Sequence, residues 1–254
     1  YVGIGSVAPG YMVTVAENRA ANWAVSIVNA ASDGAGLMVE AGGNTADKVF
    51  KCTGGSTEVF TVKGDGKVGI GTTAPDGSLH VHTATAGSVT AHADADDLVV
   101  ENSAAAGLSI LTPNNAIGYI LFGDPDDNNI GRIQYVHSDN SLQIFTNDSV
   151  RMHITSAGRV GIGTTVPDSQ LHIFGGSAGS VTAHADADDF VIENNAAAGL
   201  SILTPNNAIG YILFGDPDDN NIGRIQYVHS DNSLQIFTND SVRMHITSAG
   251  RVGI

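Results

Sequence analysis

A short connector, Val-Gly-Ile-Gly-Thr-Thr, recurs along this sequence and divides it into modules. It stands at residues 68–73 and 160–165, and its first three residues return at 252–254, so successive copies lie 92 residues apart. A variant of the connector, at residues 2–6, precedes the first full copy by 66 residues. A fixed period of this kind is typical of arrays of similar units. The sequence therefore predicts three modules in a linear array, residues 1–67, 68–159 and 160–254.

The second and third modules are almost the same sequence. Residues 104–162 recur unchanged as residues 196–254. The differences just before them are conservative in character: Leu98 becomes Phe190, Val100 becomes Ile192 and Ser103 becomes Asn195. We therefore expect these two modules to fold alike and to carry the same chemistry.

Composition narrows the class of protein. Glycine is frequent, at 31 residues, while aromatic residues make up 6% and charged residues 15% of the chain, which favours short strands joined by tight turns. The net charge of −15 argues against a nucleic-acid or anionic-membrane partner. No apolar run reaches the roughly 20 residues that span a bilayer, so membrane insertion is not expected. Cys52 is the single cysteine, so no disulfide forms within the chain.

Alternation of apolar and polar residues predicts about eight short strands per 92 residues, in meander order. The clearest pattern places Val150, Met152 and Ile154 on one face of a strand. The continuous apolar run Tyr119–Phe122 predicts a strand buried on both faces. Further predicted strands are Tyr11–Val15, Trp23–Val28, Leu37–Val39, a hairpin of Lys48–Cys52 with Glu58–Val62, Leu108–Ile110, Ile133–Tyr135 and Leu142–Ile144.

Such strands leave one face of a sheet apolar, with nothing in the module to cover it. Roughly 1.5–3 kcal/mol per buried large side chain, over about a dozen side chains, exceeds the usual net stability of a domain, about 5–15 kcal/mol. Either the sheet rolls up as a solenoid, or copies of the chain pack face to face. The connector glycines favour a close approach of backbones.

The segment Arg151–Pro167, followed by Leu171-His172-Ile173, resembles the shaft repeats of bacteriophage tail fibres and tailspikes. The earlier copy has the same pattern at residues 68–75 and 79–81, and residues 119–124 and 132–141 are also similar to that family. The resemblance implies an all-β, elongated, repetitive fibre, built as an intertwined β-meander, β-prism or triple β-helix of three identical chains. It implies a structural shaft, not an enzyme, that presents a host-receptor-binding tip. That tip, which would bind a host surface glycan or protein, is expected outside this chain.

Because the chain begins and ends within the connector, we expect it to be a fragment of a longer polypeptide. The resemblance implies a virion (tail-fibre) or extracellular location. Two other functions stay open. The same repeats would suit a bacterial extracellular filament or surface adhesin. A polysaccharide-degrading tailspike is the enzymatic alternative, with sugars lying along the repeats.

Two acidic loops are the candidates for ligand binding. Residues His92–Asp97 carry three aspartates and could bind a metal or supply paired carboxylates, but they recur as His184–Asp189, and a turn is expected more than an active site copied into each unit. The loop Asp124–Asn129 resembles a calcium loop but has Asn129 where an EF-hand needs glycine. Turn, cation site and sugar site all stay open for both loops.

Two further motifs resemble parts of a dinucleotide site and of a metal site. Gly69-Ile70-Gly71 lacks the third glycine of a dinucleotide fingerprint and precedes a turn rather than a helix. His80 and His82 could surround a metal on a trimer axis, but the alternation places Leu79 and Val81 on the core face and predicts outward histidines. We therefore assign no catalytic residue, no cofactor and no metal ligand.

Overall fold

A computed structural model describes residues 48–54 and 57–254, and the structure is all-β. The described residues form seventeen strands in three sheets and contain no helix. The predicted strands Tyr11–Val15, Trp23–Val28 and Leu37–Val39 lie outside the described residues. Two compact units, residues 1–109 and 110–254, divide the chain.

The first unit contains a five-stranded sheet in sequential order. Its strands are β1 (Lys48–Gly54), β2 (Thr57–Lys63), β3 (Val68–Ile70), β4 (Leu79–His82) and β5 (Leu98–Glu101). The predicted hairpin of the first two strands is confirmed by their antiparallel pairing. Because β2 also pairs with β3, hydrogen bonding crosses residues 67 and 68, where the sequence repeat begins.

The second unit contains a seven-stranded and a five-stranded sheet, each also in sequential order. The seven strands are β6 (Ile117–Phe122), β7 (Gly131–Val136), β8 (Ser141–Thr146), β9 (Ser149–Ile154), β10 (Val160–Ile162), β11 (Leu171–Phe174) and β12 (Phe190–Glu193). The five are β13 (Ile209–Phe214), β14 (Gly223–Val228), β15 (Ser233–Thr238), β16 (Ser241–Ile246) and β17 (Val252–Gly253). Their identical sequences give identical pairings from β6 to β9 and from β13 to β16.

The meander prediction holds throughout the third sheet but for only part of the other two. Strands β6 to β10 are antiparallel neighbours, but β10, β11 and β12 are parallel, as are β3, β4 and β5. The chain between β10 and β11 spans residues 163–170 and contains Pro167, so it is too long for a tight hairpin and returns to the same end of the sheet. The predicted strand Leu108–Ile110 is absent from the structure, which leaves seven strands in that period.

A two-residue turn, Asn147-Asp148, joins β8 to β9. Both residues have positive φ, 50° and 54°, and the flanking residues Thr146 and Ser149 pair directly. A turn with both central residues in this region matches the twist of the strands it connects. This turn fixes the register of the hairpin at its closed end.

The second glycine of the connector, Gly163, is required by backbone packing. Its φ is +79°, and its N–H donates to the carbonyl of Arg151 at 3.1 Å. A Cβ at this position would overlap the carbonyl oxygen of Phe174. The connector thus brings backbone against backbone within one chain, and no side chain fits between them.

We predict that Gly163→Ala destabilises the protein more than Gly158→Ala. Gly158 also has positive φ, +81°, but a Cβ there meets only open space, so its substitution costs about 1–2 kcal/mol for the backbone conformation alone. Gly163→Ala carries that cost and must also displace the Phe174 carbonyl. Denaturant unfolding of the two variants measures the difference, and equal midpoints would contradict the packing role of Gly163.

Candidate functional site

One side of the seven-stranded sheet is covered by apolar side chains aligned across every strand. Cross-strand pairing places one residue from each strand in a single row: Ile120, Ile133, Ile144, Met152, Ile162, Ile173 and Ile192. A second row on the same side contains Gly118, Tyr135, Leu142, Ile154, Val160, Leu171 and Phe190. We call this side the apolar face. Met152 and Ile154 lie in these rows as predicted, but the prediction is wrong for Val150, because a bulge between β8 and β9 sets Val150 opposite Phe145, on the other face.

The apolar face is open in the single chain. Ile120 is 46% exposed, Ile162 40% and Phe190 45%. Among the described residues, the buried hydrophobic side chains are Phe145 and Phe237 alone. The run Tyr119–Phe122, predicted to be buried on both faces, is instead at least 43% exposed at each residue, because it forms an edge strand.

The other two sheets repeat this arrangement. In the sheet of the first unit, one row contains Cys52, Phe60, Ile70, Val81 and Val100. In the third sheet, Ile212, Ile225, Ile236 and Met244 form the counterpart. An uncovered apolar face is therefore a property of every sheet in the described chain.

The opposite side of the seven-stranded sheet, the polar face, is covered by the chain's own loops from β9 to β12, while Tyr119 and Leu121 on its β6 edge are 43% and 50% exposed. Its middle row contains Tyr119, Gln134, Gln143, His153, Gly161, His172 and Val191. The ring Nδ1 of His153 donates to the carbonyl of Thr165 at 2.7 Å, which ties the connector over this face. Gln134 and Gln143, whose side-chain amides bond to each other at 2.9 Å, extend the network.

A cluster of Asp168, His172 and Glu193 lies on the polar face, and its copy is Asp76, His80 and Glu101. His80 is 1% and His172 2% exposed, so the prediction of outward histidines is wrong at these two positions. The apolar neighbours do take the apolar face as predicted, but the loops cover the other side. The Asp168 N–H donates to Nδ1 of His172 at 3.3 Å, and Nε2 lies 3.2 Å from a Glu193 oxygen.

The cluster has ligand atoms suited to a divalent cation, since the three residues offer oxygen and imidazole donors within 4.8 Å of one another. The hydrogen bond from Asp168 argues against that use. It requires a lone pair on Nδ1, so the neutral ring carries its proton on Nε2, where a cation would have to bind. The geometry fits a contact between the Nε2–H of His172 and the carboxylate better than a metal centre.

Arg132 organises a second polar network that the sequence interpretation missed. Its Nη1 donates to Asp148 at 2.8 Å, its Nε donates to Gln134 at 3.1 Å, and its guanidinium lies 3.7 Å above the Phe145 ring. The hydrogen bond from Arg132 lowers the pKa of Asp148 below its ordinary value. Arg132 and Phe145 pair across β7 and β8, so a cation–π contact could have been predicted once the register of these strands was known.

The acidic loops bond to their own backbone. In Asp124–Asn129, the carboxylate of Asp124 accepts from the N–H groups of Asp126 and Asp127, both at 2.9 Å. In His92–Asp97, the Asp94 N–H donates to His92 Nδ1 at 3.2 Å. These are the bonds of turn residues. Neither loop contributes to the clusters of potential metal ligands found among the described residues.

The first connector, Gly69-Ile70-Gly71, leads into the parallel strand β4, not into a helix that could bind a dinucleotide phosphate.

No protein-family model matches the sequence, and no curated protein matches it either. Within the described ranges 48–54 and 57–254, the structure has no helix long and apolar enough to cross a membrane.

We predict that Glu101 makes the stability of the first sheet depend on acid. The Ala86 N–H, which donates to Glu101 at 2.6 Å, lowers the pKa of this carboxyl below its usual 4.5, and the nearby His80 and His82 lower it further. A carboxyl whose pKa is lower in the folded than in the unfolded state stabilises the folded state at pH values above its unfolded pKa. This stabilisation is lost as the pH falls from about 4.5 through the pKa of the folded state.

The test compares the parent chain with Glu101→Gln by denaturant unfolding between pH 7 and pH 3. The variant should be less stable at pH 7 and should lose less stability on acidification. Asp94→Asn, at an exposed carboxylate, controls for the loss of one charge. Parallel pH profiles for the parent and Glu101→Gln would contradict the prediction.

Proposed function

We propose that this chain is part of the structural shaft of a homotrimeric fibre of the bacteriophage tail-fibre type. Such a shaft spaces a host-binding tip from the virion, and the tip lies outside this chain. The observation that carries the proposal is the apolar face, whose two rows cross all seven strands and stay largely open, with Ile110 lying over Gly118 at one edge. No catalytic step is needed for this function.

The free energy available on this face is comparable with the stability of a domain. The two rows contain thirteen apolar side chains and one glycine. Ile120, Tyr135, Ile162 and Phe190 are 39–46% exposed, and the other nine are already partly buried, so association that buries the remaining area gains about 5–10 kcal/mol per sheet. Domains have a net stability of about 5–15 kcal/mol, so copies of the chain gain as much by packing together as a domain gains by folding.

Three copies can cover each other's apolar faces around one axis. Sheets that pack face to face lie about 10 Å apart, and a three-sided arrangement encloses every face without leaving one outside. The polar faces then point outward, which suits them because their loops already bury the polar residues of that side. The acidic surface of the chain, with its net charge of −15, keeps such an assembly soluble.

The sequence supports the same proposal independently. The connector and the strand after it, residues 160–173, resemble the shaft repeats of tail fibres, and the period of 92 residues gives the array that a shaft requires. A neighbourhood of tail genes around the coding sequence would place the fibre on a virion and distinguish it from a bacterial filament.

We predict a solution mass of about 78 kDa, three times the 26.1-kDa chain, at all concentrations measured by light scattering. Val160→Asp places a charge in the second apolar row and should dissociate the trimer. Val166→Asp is the matched control, because Val166 directly follows the connector, lies outside both apolar rows and is already 75% exposed. It should leave the mass unchanged.

A folded parent protein of 26 kDa would overturn the homotrimer. Equal dissociation by both substitutions would instead show that the apolar face is not the contact. Circular dichroism on each variant distinguishes dissociation from unfolding of the single chain.

A further inference from the structure

Two sheets of the second unit end in free strand edges. Strand β12 is the last strand of the seven-stranded sheet, and β13 is the first of the next sheet. Within the described residues, each pairs on one side only. A free edge presents a row of unpaired N–H and C=O groups, which another strand can extend.

Strand β13 lacks the features that protect an edge. Its residues Tyr211 to Phe214 are 43–58% exposed, and they alternate between the two faces, so neither side of the strand is covered. The strand contains no charge and no proline. Natural edge strands that remain free in solution usually carry such residues. The composition of β13 is therefore typical of a strand that pairs on both sides.

The directions of the two edges match. From β6 to β10 there are four antiparallel steps, and from β10 to β12 two parallel ones, so β12 runs in the same direction as β6. Strand β13 is the counterpart of β6, with the same sequence and the same place in its sheet. With both apolar faces on the same side, β12 beside β13 would form a parallel pair.

The side chains also match in that register. Continuing the two apolar rows across the join places Ile192 beside Ile212 and Phe190 beside Gly210, because Ile212 and Gly210 hold the places that Ile120 and Gly118 have in the rows. Phe190, the largest side chain of β12, thus lies beside Gly210, and Ile202, which lies against Gly210 in the single chain, has to move aside.

The segment between the two strands can carry β13 to another copy. Residues 194–208 form no strand and could span roughly 50 Å when extended. In this segment Leu200 is 64% and Leu203 89% exposed. Contact with another copy would remove this apolar surface from water.

We propose that in the assembled fibre β12 of each copy pairs in parallel with β13 of the next copy. The contact is head-to-tail, joins two different edges, and closes after three copies. It makes the sheets continuous along the fibre, with each sheet passing from one chain to the next. The inference rests on the homotrimer of the proposed function and specifies which strands join its chains.

The test is a disulfide between Ile192→Cys and Ile212→Cys in a Cys52→Ser background. Neighbouring strands lie about 4.8 Å apart, within the range of about 4.4–6.8 Å between the Cα atoms of a disulfide. Oxidation should give a covalent trimer of about 78 kDa on a non-reducing denaturing gel. Reduction should return the chain to 26 kDa.

Two matched pairs control for position. Ile192→Cys with Tyr211→Cys puts the second thiol on the other face, so no trimer should form. Ile225→Cys with Ile236→Cys joins residues already paired within one chain, and it should give only a monomer with an internal disulfide. Val191→Cys with Tyr211→Cys tests the same register on the polar face if the first pair disturbs folding.

The outcomes distinguish this inference from the proposed function. A trimer by light scattering in which neither the Ile192–Ile212 pair nor the Val191–Tyr211 pair links chains overturns the edge pairing alone. A disulfide within one copy for either pair overturns it as well, since β12 and β13 would then meet in the same chain. A folded monomer of 26 kDa before oxidation overturns the homotrimer, and the edge pairing with it.

Discussion

The cross-strand register is the constraint on which the rest of this structure depends. Side chains alternate between the two faces of a strand, so a slip of one residue in any strand would move its whole apolar set to the other side. One row runs unbroken across seven strands from Ile120 to Ile192, although a bulge between β8 and β9 moves Val150 out of the apolar set. The Asn147-Asp148 turn holds the register within the meander, and Gly163 allows the connector to hold it across the change to parallel pairing.

The register separates polar from apolar side chains, and a single chain covers the polar face of the sheet but not the apolar face. On the polar face, loop backbone groups form hydrogen bonds with individual side chains. A backbone N–H donates to the carboxylate of Glu193, another donates to the ring of His172, and a carbonyl accepts from the ring of His153. Loops are well suited to this task because they offer free backbone groups. They offer few apolar atoms, and the apolar face is left largely uncovered.

Local patterns in the sequence predicted the parts of the fold that depend on neighbouring residues. The hairpin of Lys48–Cys52 with Glu58–Val62 and the alignment of Met152 with Ile154 follow from alternation, and the structure has them. The bulge that removes Val150 from that alignment leaves no sign in the alternation. The parallel pairing of β10 with β11 was not predictable in this way, since alternation does not encode strand direction. Burial of His172 was missed for a related reason: it depends on Asp168 and Ala178, loop residues whose position over the sheet no pattern in the sequence indicates.

The near-identity of the two long modules has a consequence for assembly. Three chains displaced by one whole repeat, 92 residues, would find almost the same neighbours as three chains in alignment. Residues that differ between modules, such as Leu98 and Phe190 on the edge strands β5 and β12, alter side-chain volume at the apolar edge. A change of this size costs about 1–3 kcal/mol when the site is tightly packed, which is small beside the energy of the contact as a whole. If the proposed trimer forms, staggered bundles would therefore compete with the aligned one, and alignment would have to be set where the three chains first meet.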